Sequence, residues 1–184
     1  MSAVKTYRKE VRFSGSGGQG LILDGIVLAR AGVLDNYKVT QTQSYGPESR
    51  GGSSRADTII SNEDIYFPEA QNIDVLIALT QEACDKFIFE MKEDGILIVD
   101  SGLVKNISIS KDNIFEVPFT EIALEKLGTE LPMNIVALSF MVKASNIVTE
   151  KSLESAIRSS VKPAHLDLNM KAMQLGFDLA QNYK

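Results

Sequence analysis

Apolar and polar positions change rhythm along this chain. Val11 to Ser14 is a short run that predicts a first strand. Leu21, Ile22, Ile26, Val27 and Leu28 then recur at helical spacing and predict a helix to about Leu34. Val39 to Gln43 mixes valine and threonine, which suit a pleated surface, and predicts a second strand. Ala56 to Ser61 predicts a third, closed by Asn62-Glu63-Asp64. Ile73 to Leu79 is almost continuously apolar, as expected of a strand covered on both faces. Thr80 is placed to cap a helix carrying Ala83, Phe87 and Met91 and ended by Gly95. Ile96 to Val99 and Ile114 to Val117 predict two more strands, and Thr120 is placed to cap a short helix ending at Gly128.

The last third is helical. Met133 to Val148 is apolar on most sides, which suits either a partner surface or a central core helix. Thr149 is expected to cap a helix carrying Leu153, Ala156 and Ile157. A final helix from about Asp167 to Asn182 places Leu168, Ala172, Leu175 and Leu179 on one face, with Met170, Met173 and Phe177 beside it. Strands alternating with helices predict an α/β fold: a single three-layer, Rossmann-like domain spanning 1–184, with a helical C-terminal part. The sheet is expected to be mostly parallel. The link between the second and third strands consists mostly of turn formers without a helical period, so at least one antiparallel strand is expected there.

Composition narrows the chemistry. The single cysteine, Cys84, excludes an intrachain disulfide and an iron–sulfur cluster held by this chain alone. The single histidine, His165, excludes a histidine-rich metal site. Net charge is -5 with no long basic block, which argues against nucleic acid. No signal peptide or membrane-spanning run is recognisable, so a cytoplasmic protein is expected.

The candidate chemistry lies in two loops. The stretch SGSGGQG, Ser14 to Gly20, sets Gly15, Gly17 and Gly20 in a G-x-G-x-x-G pattern between a strand and a helix. Glycines permit a sharp turn and leave backbone amides open, and the helix start favours an anion. Gln19 adds an amide that donates and accepts. A dinucleotide fingerprint, however, wants an acidic residue at the end of the second strand, where Thr42-Gln43 stands. No lysine of a Walker motif follows either. A loop that packs a corner, or that meets another molecule's phosphate or backbone, fits better than bound NAD or flavin. The second stretch, QSYGPESRGGSSR, spans Gln43 to Arg55. Gly46-Pro47 makes a corner, and Gly51 and Gly52 permit close backbone approach. Arg50 and Arg55 offer forked donors for carboxylate or phosphate, and Glu48 is a competing partner. If the strand entering this loop runs parallel to the first, both loops leave the same end of the sheet. Asp24 and Asp100 are acid candidates without a nucleophile or base in register. Cys84 and His165 read as a buried apolar thiol and a helix-start or surface residue.

Taken together, SGSGGQG and TQSYGPESRGGSSRADTIIS resemble the gamma subunit of the 2-oxoacid:ferredoxin oxidoreductases, and the resemblance covers nearly the whole chain. Gln41 to Gly46 is more similar to the 2-oxoglutarate type than to the pyruvate type, and ketoisovalerate and indolepyruvate relatives share the domain. The resemblance implies a non-redox subunit, inactive alone, in a complex that decarboxylates a 2-oxoacid to acyl-CoA. Thiamine diphosphate would be bound by the partner alpha and beta subunits, with magnesium also in partner subunits and the iron–sulfur clusters in cysteine-rich parts of the complex, and a delta, ferredoxin-like subunit and ferredoxin itself would be further partners. Gly15, Gly17, Gly18, Gln19, Gly20 and Arg50 are then the residues expected near coenzyme A. Tyr45, Gly46, Pro47, Glu48, Ser49, Arg50, Gly51 and Gly52 are expected to form a contact surface. No catalytic or metal-ligating residue is expected in this chain. The open alternatives are a standalone NAD- or flavin-binding domain and a purely structural scaffold. Self-association of the isolated chain is also open.

Overall fold

A computed structural model describes residues 6–45, 53–110 and 112–183. The elements, in order, are β1 (Arg8–Ser16), α1 (Leu21–Leu34), β2 (Lys38–Tyr45), β3 (Ser53–Ser61), β4 (Ile73–Ala78) and α2 (Gln81–Phe87). After a 3-10 turn (Ile88–Glu90) come β5 (Met91–Asp100), β6 (Ile114–Val117), α3 (Phe119–Leu127), α4 (Met133–Ser145) and α5 (Glu150–Ser160). A second 3-10 turn (Pro163–His165) leads into α6 (Leu166–Asn182).

The sheet has the order β2-β3-β1-β4-β5-β6. Pairing is parallel from β1 through β4 and β5 to β6, and β3 runs antiparallel to both β1 and β2. Five strands therefore point one way and β3 alone points back. This is the expected mixed sheet, and β3 is its antiparallel strand.

Two apolar cores flank the sheet. Side chains of α1, α3, α4, α5 and α6 pack on one face with Val11, Phe13, Val75, Ile77 and Ile98. The other face is covered by α2 and the segment after β5, with Leu76, Ala78, Leu97 and Val99 beneath them. The α4 helix is buried from Met133 through Val142. It is the central core helix and not a spare partner surface. Gly176 of α6 makes the close crossing: a Cβ there would meet the Val136 carbonyl at 2.3 Å.

Three element readings need correction. The helix after Thr80 ends at Phe87, and Met91 and Gly95 lie in β5. Gly95 is needed by the sheet, since a Cβ there would press on the carbonyls of Lys92 and Ile73 at 3.0 and 3.1 Å. At the start of α3, Pro118 holds the cap position, and Thr120 turns its amide and hydroxyl to the Asp100 carboxylate at 2.9 and 2.6 Å. The buried stripe of α6 is Asn169, Ala172, Met173, Gly176 and Phe177. Leu168, Leu175 and Leu179 lie at its half-buried margins. The expected caps at Thr80 and Thr149 are present, each accepting from the amide three residues on.

Candidate functional site

The C-terminal ends of the parallel strands gather the candidate residues. Gly15 and Ser16 belong to β1, opposite Ser54 and Ser53 of β3, so the turn proper is Gly17 to Gly20. Gly18 and Gly20 have φ of 97° and 80°, a left-handed backbone that other residues resist. No side chain caps the α1 N-terminus, which leaves its first amides to other partners.

The β1 and β4 strands are neighbours, yet α1 and α2 leave them onto opposite faces. In open α/β sheets, the crevice at such a point receives the ligand. Here the crevice is filled. Gln19 Oε1 accepts from the Ser16 amide at 2.7 Å, and its Nε2 donates to the Leu79 carbonyl at 3.3 Å. A Cβ on Gly15 would meet Gln19 Oε1 at 2.3 Å and Leu79 Cβ at 3.2 Å. Gln19 thus stitches the turn shut. The strand beside β1 on the other side is β3, which runs the wrong way to offer a ribose-binding carboxylate at this end.

The open side of the turn faces outward. One groove of about 270 Å³ runs between Gly17, Gly18, Gly20, Leu23, Ser54 and Tyr45. Tyr45 is 65% exposed at the end of β2. The glycine turn and the start of the second loop therefore share one surface, as the strand directions required. A second groove, of about 410 Å³, lies on the helical side between Gly18, Gly20, Leu131, Asn134, Lys162 and His165. Gly46, Pro47, Glu48, Ser49, Arg50, Gly51 and Gly52 lie outside the described residues.

Asn134 was not foreseen. It is one of two polar residues, with Ser139, in the otherwise apolar first ten positions of α4, and that was its only signal. Its Nδ2 donates to Asp24 Oδ1 at 2.8 Å, and its side chain fills the space where a Gly20 Cβ would stand. Asp24 is buried, and burial pushes its carboxyl up to about 8 against the opposing Asn134 hydrogen bond.

The remaining candidates form no catalytic set. Asp100 accepts from Gly102 and Thr120 and ties the end of β5 to α3. Cys84 is fully buried, and burial raises its thiol to about 11. His165 is exposed at the start of α6. Arg55 pairs with Glu69 at 3.5 Å. No group of three metal-ligating side chains occurs among the described residues. No helix is long and apolar enough to cross a membrane among them.

The geometry defines an α/β domain that presents a glycine turn outward and lacks an open dinucleotide crevice. Comparison with known proteins places it. The family described as pyruvate ferredoxin/flavodoxin oxidoreductase matches residues 10–179. The 2-oxoglutarate synthase subunit KorC of Methanocaldococcus jannaschii is 42% identical over 177 residues, covering 95% of each chain. The gamma subunit of a keto/oxoacid ferredoxin oxidoreductase from Geobacter sulfurreducens superposes with a TM-score of 0.88 at 42% identity, over 97% of this chain and 99% of that one. A 2-oxoglutarate:ferredoxin oxidoreductase from Magnetococcus marinus, solved with 2-oxoglutarate, coenzyme A and succinyl-CoA bound, superposes at 0.84. That match covers 96% of this chain and 32% of the other, and at 21% identity it shows a shared fold. The chain belongs to the pyruvate ferredoxin/flavodoxin oxidoreductase family, the family that the two loop motifs indicated.

Proposed function

We propose that the chain, over 1–184, is the gamma-type subunit of a cytoplasmic 2-oxoglutarate:ferredoxin oxidoreductase. The complex oxidatively decarboxylates the 2-oxoacid, passes two electrons to ferredoxin and transfers the acyl group to coenzyme A. The end-to-end identity of 42% with a 2-oxoglutarate synthase subunit carries this reading. Thiamine diphosphate with magnesium and the iron–sulfur clusters belong to the alpha, beta and delta-type partners. The donors of this chain do not suit the clusters: its one cysteine is buried, and a four-thiolate cluster needs four.

The contribution of this chain is a shaped wall. Gly17, Gly18 and Gly20 hold backbone amides at an uncapped helix start, where a phosphate of coenzyme A is favoured. Gln19 fixes the turn, and Gly15 makes room for it. Tyr45 lines the same groove, and we assign the stretch from Gly46 to Gly52 a role in contacting partner subunits, with Arg50 as the forked donor to phosphate or to a partner's carboxylate. The test is an Arg50→Ala variant in the assembled enzyme. A several-fold higher KM for coenzyme A at unchanged KM for the oxoacid supports the phosphate contact. An unchanged KM for coenzyme A leaves this loop with a partner-facing role alone.

A further inference from the structure

Five carboxyls are buried among the described residues: Glu10, Asp24, Asp57, Asp74 and Asp100. Four of them have cations or several donors. Asp57 has the Arg12 fork, Asp74 has Lys9 and Lys92, and Glu10 has Arg8 and two backbone amides. Asp100 accepts from Gly102 and twice from Thr120. Asp24 is different. It is 1% exposed and its carboxyl accepts one bond, from Asn134 Nδ2 at 2.8 Å.

No cation on the packed elements answers Asp24 either. On α1 the other ionisable residue, Arg30, donates to the Ser159 carbonyl. On the strands beneath, Arg8, Lys9, Arg12, Lys38 and Arg55 are each paired with another carboxylate. Across α4 and α5, Lys143 pairs with Glu150 and Glu154 with Arg158, and Lys151 is exposed. A lone carboxylate in such a place is costly, so the group keeps a proton. Its folded pKa of about 8, raised by burial, agrees. The Asn134 oxygen accepts from nothing among the described residues and is the free acceptor beside it.

The position of this carboxyl gives the proton a consequence. Asp24 stands in the first turn of α1, and its amide donates to the Gly20 carbonyl at 3.1 Å. Asn134 Nδ2, which meets its carboxyl, lies 3.5 Å from the same carbonyl. One side chain therefore separates the carboxyl from the glycine turn. The groove of about 410 Å³ beside that turn carries a further sign of a ligand. Asn169 lines it, is nine-tenths buried, and uses only its Nδ2, on the His165 carbonyl at 2.8 Å. Its oxygen accepts no bond among the described residues, yet it is not sealed, since Ser139 Oγ is the one sealed, unpaired side-chain atom among them. That oxygen suits a ligand N–H or O–H, while Lys162 and His165 on the same groove favour an anion. A charge on Asp24 would repel that anion through a medium that screens little.

We propose that Asp24 is a positioning residue of the glycine turn: its buried, neutral carboxyl keeps the start of α1 free of negative charge, and the phosphate of coenzyme A binds there together with a proton. This rests on the subunit reading above and adds a pH dependence to the same site. By linkage, a proton that favours the phosphate is itself favoured by it. The test is calorimetric titration of the assembled oxidoreductase with coenzyme A, from mildly acidic to mildly alkaline pH, for wild type and Asp24→Asn. Wild-type affinity is expected to fall several-fold as pH rises through about 8. Net proton uptake on binding, read from the dependence of the heat on the buffer, is expected over the same range. Asp24→Asn is neutral at every pH and is expected to lose both effects relative to wild type. The ratio of the two profiles cancels the titration of coenzyme A itself. Identical profiles overturn the inference and leave the subunit reading standing. If the variant does not assemble, the wild type decides: binding without proton uptake overturns the inference. A complex lacking this chain that binds coenzyme A as tightly overturns both.

Discussion

Arg12 and Asp57 face each other across β1 and β3 and close a two-pronged ion pair, Nε to Oδ1 at 2.7 Å and Nη2 to Oδ2 at 2.8 Å. Both side chains are 1% exposed. Burial works against the Arg12 charge, but its bonds to Asp57 and Glu90 outweigh that and raise its pKa. Such a pair is expensive to halve. Arg12→Ala strands Asp57 in the interior and is expected to cost about 3–5 kcal/mol of stability. Arg12→Met with Asp57→Leu is expected to recover most of the loss. Urea unfolding of the single and double variants checks this, and a double variant as unstable as the single would contradict it.

Asp24 gives a pH dependence of defined sign. Its folded pKa, about 8, stands above the ordinary 3.8 because the carboxyl is buried. Between these values the native state keeps a proton that the unfolded chain releases. The contribution of this group to stability is therefore full below the lower value and declines as pH rises to about 8. Asp24→Asn removes that slope. Unfolding measured from acid to mildly alkaline pH is expected to show the variant gaining on wild type as pH rises, and parallel curves would refute it.

Gly20 is constrained twice, by its φ of 80° and by Asn134 Nδ2 at 2.5 Å from a notional Cβ. Gly20→Ala is expected to cost about 1–3 kcal/mol. Adding Asn134→Ala relieves the clash and not the backbone, so the pair is expected to be non-additive and only partly restored. A thermal-unfolding double-mutant cycle measures the coupling, and additive losses would show that the two residues do not meet.

Cys84 is expected to resist alkylation in the native protein, because its thiol is buried and held near 11. Labelling should proceed only on unfolding. Rapid native labelling at neutral pH would contradict the packing of α2 on the sheet.

The pattern of the chain revealed what local chemistry decides. The α1 helix runs between its expected ends, Leu21 and Leu34, and β3 returns antiparallel as the turn-rich link implied. Tyr45, at the end of β2, also lies at the same end of the sheet as the glycine turn, which followed from strand direction. Other features depend on partners distant in sequence. Gln19 looked like a ligand donor, but its amide is consumed by Ser16 and Leu79 sixty residues on, which closes the crevice. Gly95 looked like a helix stop, whereas the carbonyls around β5 require it in a strand. The α6 stripe is displaced because Gly176 allows contact with α4 that larger leucines would prevent. Periodicity cannot show which small residue marks a crossing, and Asn134 becomes visible only when α4 is laid beside Gly20.

The most direct test is reconstitution of the oxidoreductase with and without this chain, under anaerobic conditions. Ferredoxin reduction would be followed with coenzyme A and a panel of 2-oxoacids. The account predicts that activity requires the chain, that 2-oxoglutarate is the preferred substrate, and that the isolated chain retains no NAD or flavin. Undiminished activity without the chain, or an isolated chain that binds a dinucleotide in the crevice occupied by Gln19, would contradict it.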